Sequence, residues 1–353
     1  MPRRNFYIND SELDDYQVKI INRRTDNSFI VKGCAGSGKS ILALWKAKQI
    51  QNDKMGSWLF IVFTKALKQY MSDGITQIGL QSNNVESYNQ CFFWSKVNGE
   101  WKQGEWKKGT IDYIIVDEAQ DFSREDILLF KSKARKALLL YGDSAQQLYK
   151  FIPNKTTISM DEMAFITGIP TEQLVFNHRL PKKIARLAEC INIENDDLVT
   201  RCRNEGVEKP KILSYRTCNE QLDTIVNIVK NRNFEDVGIM FRHNKDVRAA
   251  YEYLKQKGLN VEARFDGEDK GLNFNSDNPK LMTYHSSKGL QFEAVFLPEC
   301  SCSGNDDRNP LYVALTRTYQ SLYVLHSGNL SSFFDSVPRD LYDTSLTSDT
   351  ELL

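Results

Sequence analysis

Apolar runs of strand length recur along the chain, each followed by a stretch with helical spacing. The runs at 28–31, 58–63 and 113–116 precede helical patterns at 41–47, 66–75 and 123–134, while the run at 136–141 leads into a turn. Runs that are apolar at nearly every position, alternating with helices, predict a doubly wound parallel sheet buried on both faces. The pattern then starts again. Strands are expected at 211–214, 237–241, 281–284, 294–297 and 322–325, with helices at 220–230 and 246–257. The chain therefore reads as two α/β domains, 1–175 and 176–335. Residues 336–353 are polar and without periodicity, which predicts a mobile end with no role or, alternatively, a docking peptide. The segment 100–109 nearly repeats five residues, and its glycine spacing suggests a short β-hairpin with Trp101 and Trp106 on one surface. Basic residues beside aromatics suit nucleic-acid stacking, and a packed surface hairpin is the alternative.

Between the first strand and its helix lies Gly33-Cys34-Ala35-Gly36-Ser37-Gly38-Lys39-Ser40, which fits the Gly-x4-Gly-Lys-Ser phosphate loop at every fixed position. The glycines let successive N–H groups face a β-phosphate. Lys39 would bridge the β- and γ-phosphates, and the Ser40 hydroxyl would enter a magnesium shell. The strand-loop-helix context supports binding of a nucleoside triphosphate with Mg2+. The third strand ends in Asp117-Glu118-Ala119-Gln120-Asp121. Asp117 would hold the metal, and Glu118 would orient and deprotonate an attacking water, which argues for hydrolysis.

Charge adds little to this picture. Lysine plus arginine equal aspartate plus glutamate at 46 each in 353 residues, so no global field draws the chain to polyanions, and any such site is a local groove. Seven scattered cysteines with one close pair, Cys300 and Cys302, suggest reduced thiols in the cytoplasm rather than disulfides or a zinc site. No run reaches membrane-spanning length, so no membrane partner is expected.

With Leu140-Tyr141-Gly142-Asp143-Ser144-Ala145-Gln146 added, the motifs resemble those of superfamily 1 helicases of the UvrD/Rep type. The resemblance implies two RecA-like P-loop domains with mainly parallel sheets and the nucleotide in the cleft between them. It places Gln17 and Ile41 at the base and Gln146 at the γ-phosphate. Phe63-Thr64-Lys65, Ser87-Tyr88-Asn89, Tyr149 and Phe151 fall where the family contacts single-stranded DNA. In the second half, Asn177-His178-Arg179 and Leu311-Tyr312-Val313-Ala314-Leu315-Thr316-Arg317 match the family's arginine fingers, so Arg179 and Arg317 join the catalytic candidates. Thr283-Tyr284-His285-Ser286-Ser287-Lys288-Gly289-Leu290-Gln291-Phe292 closely matches a further motif. Thr283, His285 and Lys288, with Arg242, are implied at the strand, and Gly289 and Gln291 at the nucleotide.

Three residues depart from the family pattern: His178, Ile41 and Gln291 replace a tyrosine, an arginine and a glutamate around the base and ribose, implying looser base selection. The gaps at 90–112 and 245–279 leave room only for a hairpin and for a helix plus strand, where the family carries large insertions. The implied activity is an ATP-dependent DNA translocase or helicase running 3′ to 5′ on single strands or tailed duplexes, in repair, replication or phage defence. A partner protein could replace the missing insertions. The alternative is a nucleotide-switched module that docks a partner such as a nuclease and unwinds little itself.

Overall fold

The computed structural model describes residues 13–97, 99–143, 156–192, 197–264, 272–302 and 304–346. Gln146, Tyr149 and Phe151 lie outside them. The chain divides into two compact units, Met1–Phe176 and Asn177–Leu353.

In the first unit, α1 (Asp15–Asn22) leads to β1 (Phe29–Gly33), α2 (Lys39–Asn52), β2 (Trp58–Val62), α3 (Lys65–Gln77) and β3 (Val85–Ser87). Then follow β4 (Phe92–Val97), β5 (Glu100–Trp106), β6 (Ile111–Val116), α4 (Arg124–Lys133), β7 (Ala134–Gly142), α5 (Met160–Thr167) and β8 (Thr171–Leu174). Six strands form one parallel sheet in the order β3-β2-β6-β7-β1-β8. β2 is buried throughout and β6 nearly so, because helices cover both faces; this is why they read as unbroken apolar runs. The edge strand β8 is polar, Thr171-Glu172-Gln173-Leu174, and was not legible as a strand. Its Glu172 pairs with Lys19 at 2.6 Å and with Arg23 of the α1 cap.

The second unit continues with α6 (Lys182–Ile191), α7 (Leu198–Arg201), β9 (Lys211–Tyr215), α8 (Cys218–Asn231), β10 (Val237–Phe241), α9 (Asn244–Gln256) and β11 (Glu262–Ala263). It ends with β12 (Lys280–Thr283), β13 (Phe292–Leu297), α10 (Arg308–Leu315) and β14 (Thr318–Ser327). Its parallel sheet runs β11-β12-β10-β13-β14-β9. Each unit is therefore of the α/β class expected, and no helix among the described residues is long and apolar enough to cross a membrane.

Two expectations are corrected. Residues 336–346 are not a loose end: Val337 is buried, and Asp343 adds a bridge beside β9, its carbonyl accepting from Ile212 N at 2.8 Å and its N–H donating to Pro210 O at 2.9 Å. An apolar-poor segment can thus be held by covering a sheet edge. The hairpin, moreover, does not lie within 100–109. β5 pairs with the upstream β4, and the two tryptophans differ in environment. Trp106 packs edge-on against Phe92, with ring centroids 5.6 Å apart, whereas Trp101 is 68% exposed. An extra residue in β5 between Gln103 and Trp106 shifts the register there, which the repeat concealed. Among the described residues, the stretch between Asn89 and β6 holds this hairpin, and 245–279 holds α9 and β11.

Candidate nucleotide and strand sites

Parallel strands end at a common edge, so β1, β6 and β7 bring Gly33, Asp117 and Asp143 to the same rim, the usual ligand position in open α/β sheets. The loop after β1 turns through Gly36 and Gly38 at φ 76° and 86° and starts α2 at Lys39. Gly38 has a second constraint, since a Cβ there would lie 2.8 Å from Gln17 Nε2. Gln17 is already engaged at both ends. Its Oε1 accepts from Asp14 N at 3.2 Å in the capping box of α1, and its Nε2 donates to Ser37 O at 3.1 Å. The residue expected at the base thus also tethers the phosphate loop to α1. Lys39 is 7% exposed and donates to Gly33 O at 2.6 Å and Cys34 O at 2.8 Å. Cys34, Ala35 and Ser37 are buried, while Ser40 and Ile41 are half-buried in the first turn of α2.

Asp117 is completely buried, and neither carboxylate oxygen has a hydrogen bond of ordinary geometry. Burial first, and the adjacent Glu118 second, push its pKa up to about 7; the Ser40 hydroxyl and Lys39 pull the other way without offsetting them. A buried anion so placed is destabilising unless a cation compensates it. The donor set, a carboxylate beside a serine hydroxyl, fits a hard divalent ion such as magnesium.

Glu118 follows in the left-handed region, φ 53° and ψ 45°, at a cost of about 1–2 kcal/mol for a residue with a Cβ. Its Oε2 accepts from Gln120 Nε2 at 2.5 Å, and Gln120 Oε1 accepts from Asp143 N at 2.9 Å. Gln120 therefore joins the ends of two neighbouring strands. The join requires Gly142, where a Cβ would lie 2.6 Å from Gln120 Oε1 and 2.5 Å from Met160 Sδ. Sequence reasoning gave Gln120 no role, although its place in the run after β6 was the available signal.

The strand candidates of the first unit divide. Thr64 caps α3, its hydroxyl accepting from Leu67 N at 3.1 Å, and Lys65 beside it is exposed. Phe63 is half-buried, edge-on to Phe122 at 5.3 Å and stacked near Tyr88. Ser87 and Tyr88 are both buried. Ser87 is 1% exposed and its hydroxyl is engaged with Gln90 at 3.0 Å. Tyr88 lies in the aromatic core and its hydroxyl donates to Asp126; burial and that carboxylate raise its pKa. Only Asn89 of that trio is exposed.

In the second unit, buried Asn177 closes an Asx turn, its Oδ1 accepting from Arg179 N and Leu180 N, both at 2.9 Å. That turn fixes the backbone carrying exposed His178 and half-buried Arg179. Replacing Asn177 with alanine leaves those N–H groups without their acceptor, an expected loss of about 1–3 kcal/mol. A lower thermal midpoint with reduced hydrolysis is expected, and an unchanged midpoint would contradict the turn's role. Arg317 is 2% exposed and folds back on α10, donating from Nε to Val313 O at 2.8 Å and from Nη2 to Thr316 Oγ1 at 3.1 Å.

Thr283 accepts from Ser286 N at 3.2 Å and sets the turn that leaves His285 exposed. Lys288 is buried, Gly289 turns at φ 76° and Gln291 is half-buried. Arg242 pairs with Asp307 at 2.6 Å. Asp307 also interacts electrostatically with His285. The sequence did not single out Asp307.

Comparison with known proteins agrees with these motifs. A model of an AAA domain matches residues 17–152, and a model described as the UvrD-like helicase C-terminal domain matches residues 280–325. A Mycoplasma pneumoniae protein named Probable DNA helicase is 23% identical over 263 residues, covering 64% of this chain and 45% of that protein. The ATP-dependent DNA helicase PcrA of Bacillus subtilis is 29% identical over 163 residues, 42% of this chain and 22% of its own. The chain spans less than half the length of these curated relatives. Among solved structures, arterivirus nonstructural protein 10, a helicase, aligns with TM-score 0.46 and 16% identity over 91% of this chain and 63% of its own. The phosphate loop and the Asp117-Glu118 pair lie inside one matched segment and the 283–292 and 311–317 motifs inside the other, so the matched models and the relatives' names are consistent with a superfamily 1 helicase of the UvrD/Rep type.

Proposed function

We propose that the chain is an ATP-driven, single-stranded-DNA-dependent translocase that runs 3′ to 5′ in the cytoplasm, in DNA repair, replication or phage defence. The observation that carries this reading is the uncompensated buried carboxylate of Asp117 beside Glu118, on the strand rim that also bears the phosphate loop. Magnesium held by Ser40 and Asp117 would neutralise phosphate charge. Lys39 exchanges the carbonyls of Gly33 and Cys34 for phosphate oxygens, a stronger charge-assisted partner. Glu118 accepts the proton of the attacking water, held in position by Gln120. Through Asp143, Gln120 links this base to the segment leading to Gln146. Arg179 and Arg317 are the proposed sources of positive charge for the phosphoryl oxygens in the transition state.

Lys65 and Asn89 in the first unit and His285 in the second are exposed beside the motifs assigned to the strand. The polarity rests on the resemblance of Lys288-Gly289-Leu290-Gln291-Phe292 to the 3′-to-5′ branch. Streptavidin displacement tests it. With ATP, the chain should strip streptavidin from the 5′ end of a biotinylated strand much faster than from the 3′ end; the reverse preference would overturn the polarity.

A second reading, a nucleotide-switched docking module, is favoured by the slight structures at 90–112 and 245–279 where the family carries insertions. Capture of a partner that depends on nucleotide, without displacement from either end, would select it.

A further inference from the structure

The β4–β5 hairpin has a firm base and an exposed tip. At the base, Trp106 packs on Phe92 and Phe130, with centroids at 5.6 and 6.0 Å, and donates from Nε1 to Gly109 O at 2.7 Å. Beyond it, Trp94 and Trp101 are 39% and 68% exposed. Large aromatics held out on a rigid element are unfavourable in water, and such patches mark interaction sites.

The register decides what the face offers. Trp94 lies opposite Gln103 and Lys96 opposite Trp101, so these four share one face, with the two indoles on a diagonal. Diagonal neighbours stand about 7–8 Å apart, close to twice the ~3.4 Å rise between stacked bases. The face is also tied to the segment assigned to the strand. Trp94 Nε1 donates to the carbonyl of exposed Asn89 at 2.8 Å, and Gln103 Nε2 donates to Tyr88 Oη at 3.1 Å. The acidic Glu100 pairs with Val97 and so projects from the other face.

We propose that this face is an additional single-stranded DNA grip, in which Trp94 and Trp101 sandwich one base and Lys96 holds the backbone, extending the track beyond Asn89. It rests on the strand-dependent reading above. Base–aromatic stacking is tolerant of sequence, so the grip adds affinity without base preference.

The test is the dissociation constant of a fluorescent oligo-dT for the full chain at low salt, in wild type, Trp101→Ala, Trp101→Phe and Lys65→Ala. Trp101→Ala should weaken binding roughly tenfold, and Trp101→Phe should restore it to within about threefold. Thermal midpoints equal to wild type exclude unfolding as the cause. If Trp101→Ala binds as wild type while Lys65→Ala binds more weakly, the grip is overturned and the strand-dependent reading stands, leaving the hairpin to a protein partner. If wild type binds no oligo-dT, both fall.

Discussion

Replacing Lys39 with alanine is expected to abolish ATP hydrolysis, a fall on the order of 10²-fold or more in kcat, the scale of losing one preorganised charge donor at a reacting centre. Lys39 is the first residue of α2, fixed there by the left-handed Gly38 and almost enclosed by the loop whose carbonyls it bonds. A phosphate arriving in that loop meets an ammonium already held there by the Gly33 and Cys34 carbonyls, which it can replace. Alanine removes the charge and leaves the loop's glycine geometry intact. Phosphate release measured at saturating ATP checks this, with the thermal midpoint as the control for folding. Turnover within threefold of wild type would contradict the assignment.

Glu118→Gln should cut kcat by roughly 10²- to 10⁴-fold, the range for general-base catalysis, while a fluorescent ATP analogue binds nearly as before. The substitution keeps size and leaves an oxygen to accept from Gln120, but removes the proton acceptor. Steric strain supports the functional assignment. A glutamate at φ 53° persists only where the surroundings over-determine it, and here Gln120, Asp143 and Gly142 do so. A defect confined to KM would show instead that Glu118 serves binding, against the role given to it.

The central strands and the phosphate loop were legible because each carries its own signal: strands buried on both faces spell continuous apolar runs, and the loop needs glycines and a lysine at fixed spacing. What escaped depends on partners distant in sequence. β8 is polar because it lies at a sheet edge, and residues 336–346 are held by backbone pairing that composition does not encode. Tyr88 matched a strand-contact motif, yet its ring completes the core with Phe92 and Phe122. Gln120 and Asn177 matter through the backbone groups they satisfy, so their roles emerged only with coordinates. Trp101 stands in a near-repeat, but its neighbours across the hairpin are set by a register with β4 that the repeat does not reveal.

The central claim is that the Asp117–Glu118 site turns over ATP in response to a bound strand. Steady-state hydrolysis by the full chain at low salt, with and without oligo-dT, tests it most directly. Stimulation on the order of tenfold or more is predicted, within the usual range of coupling between sites. Equal rates in the two conditions would contradict the account.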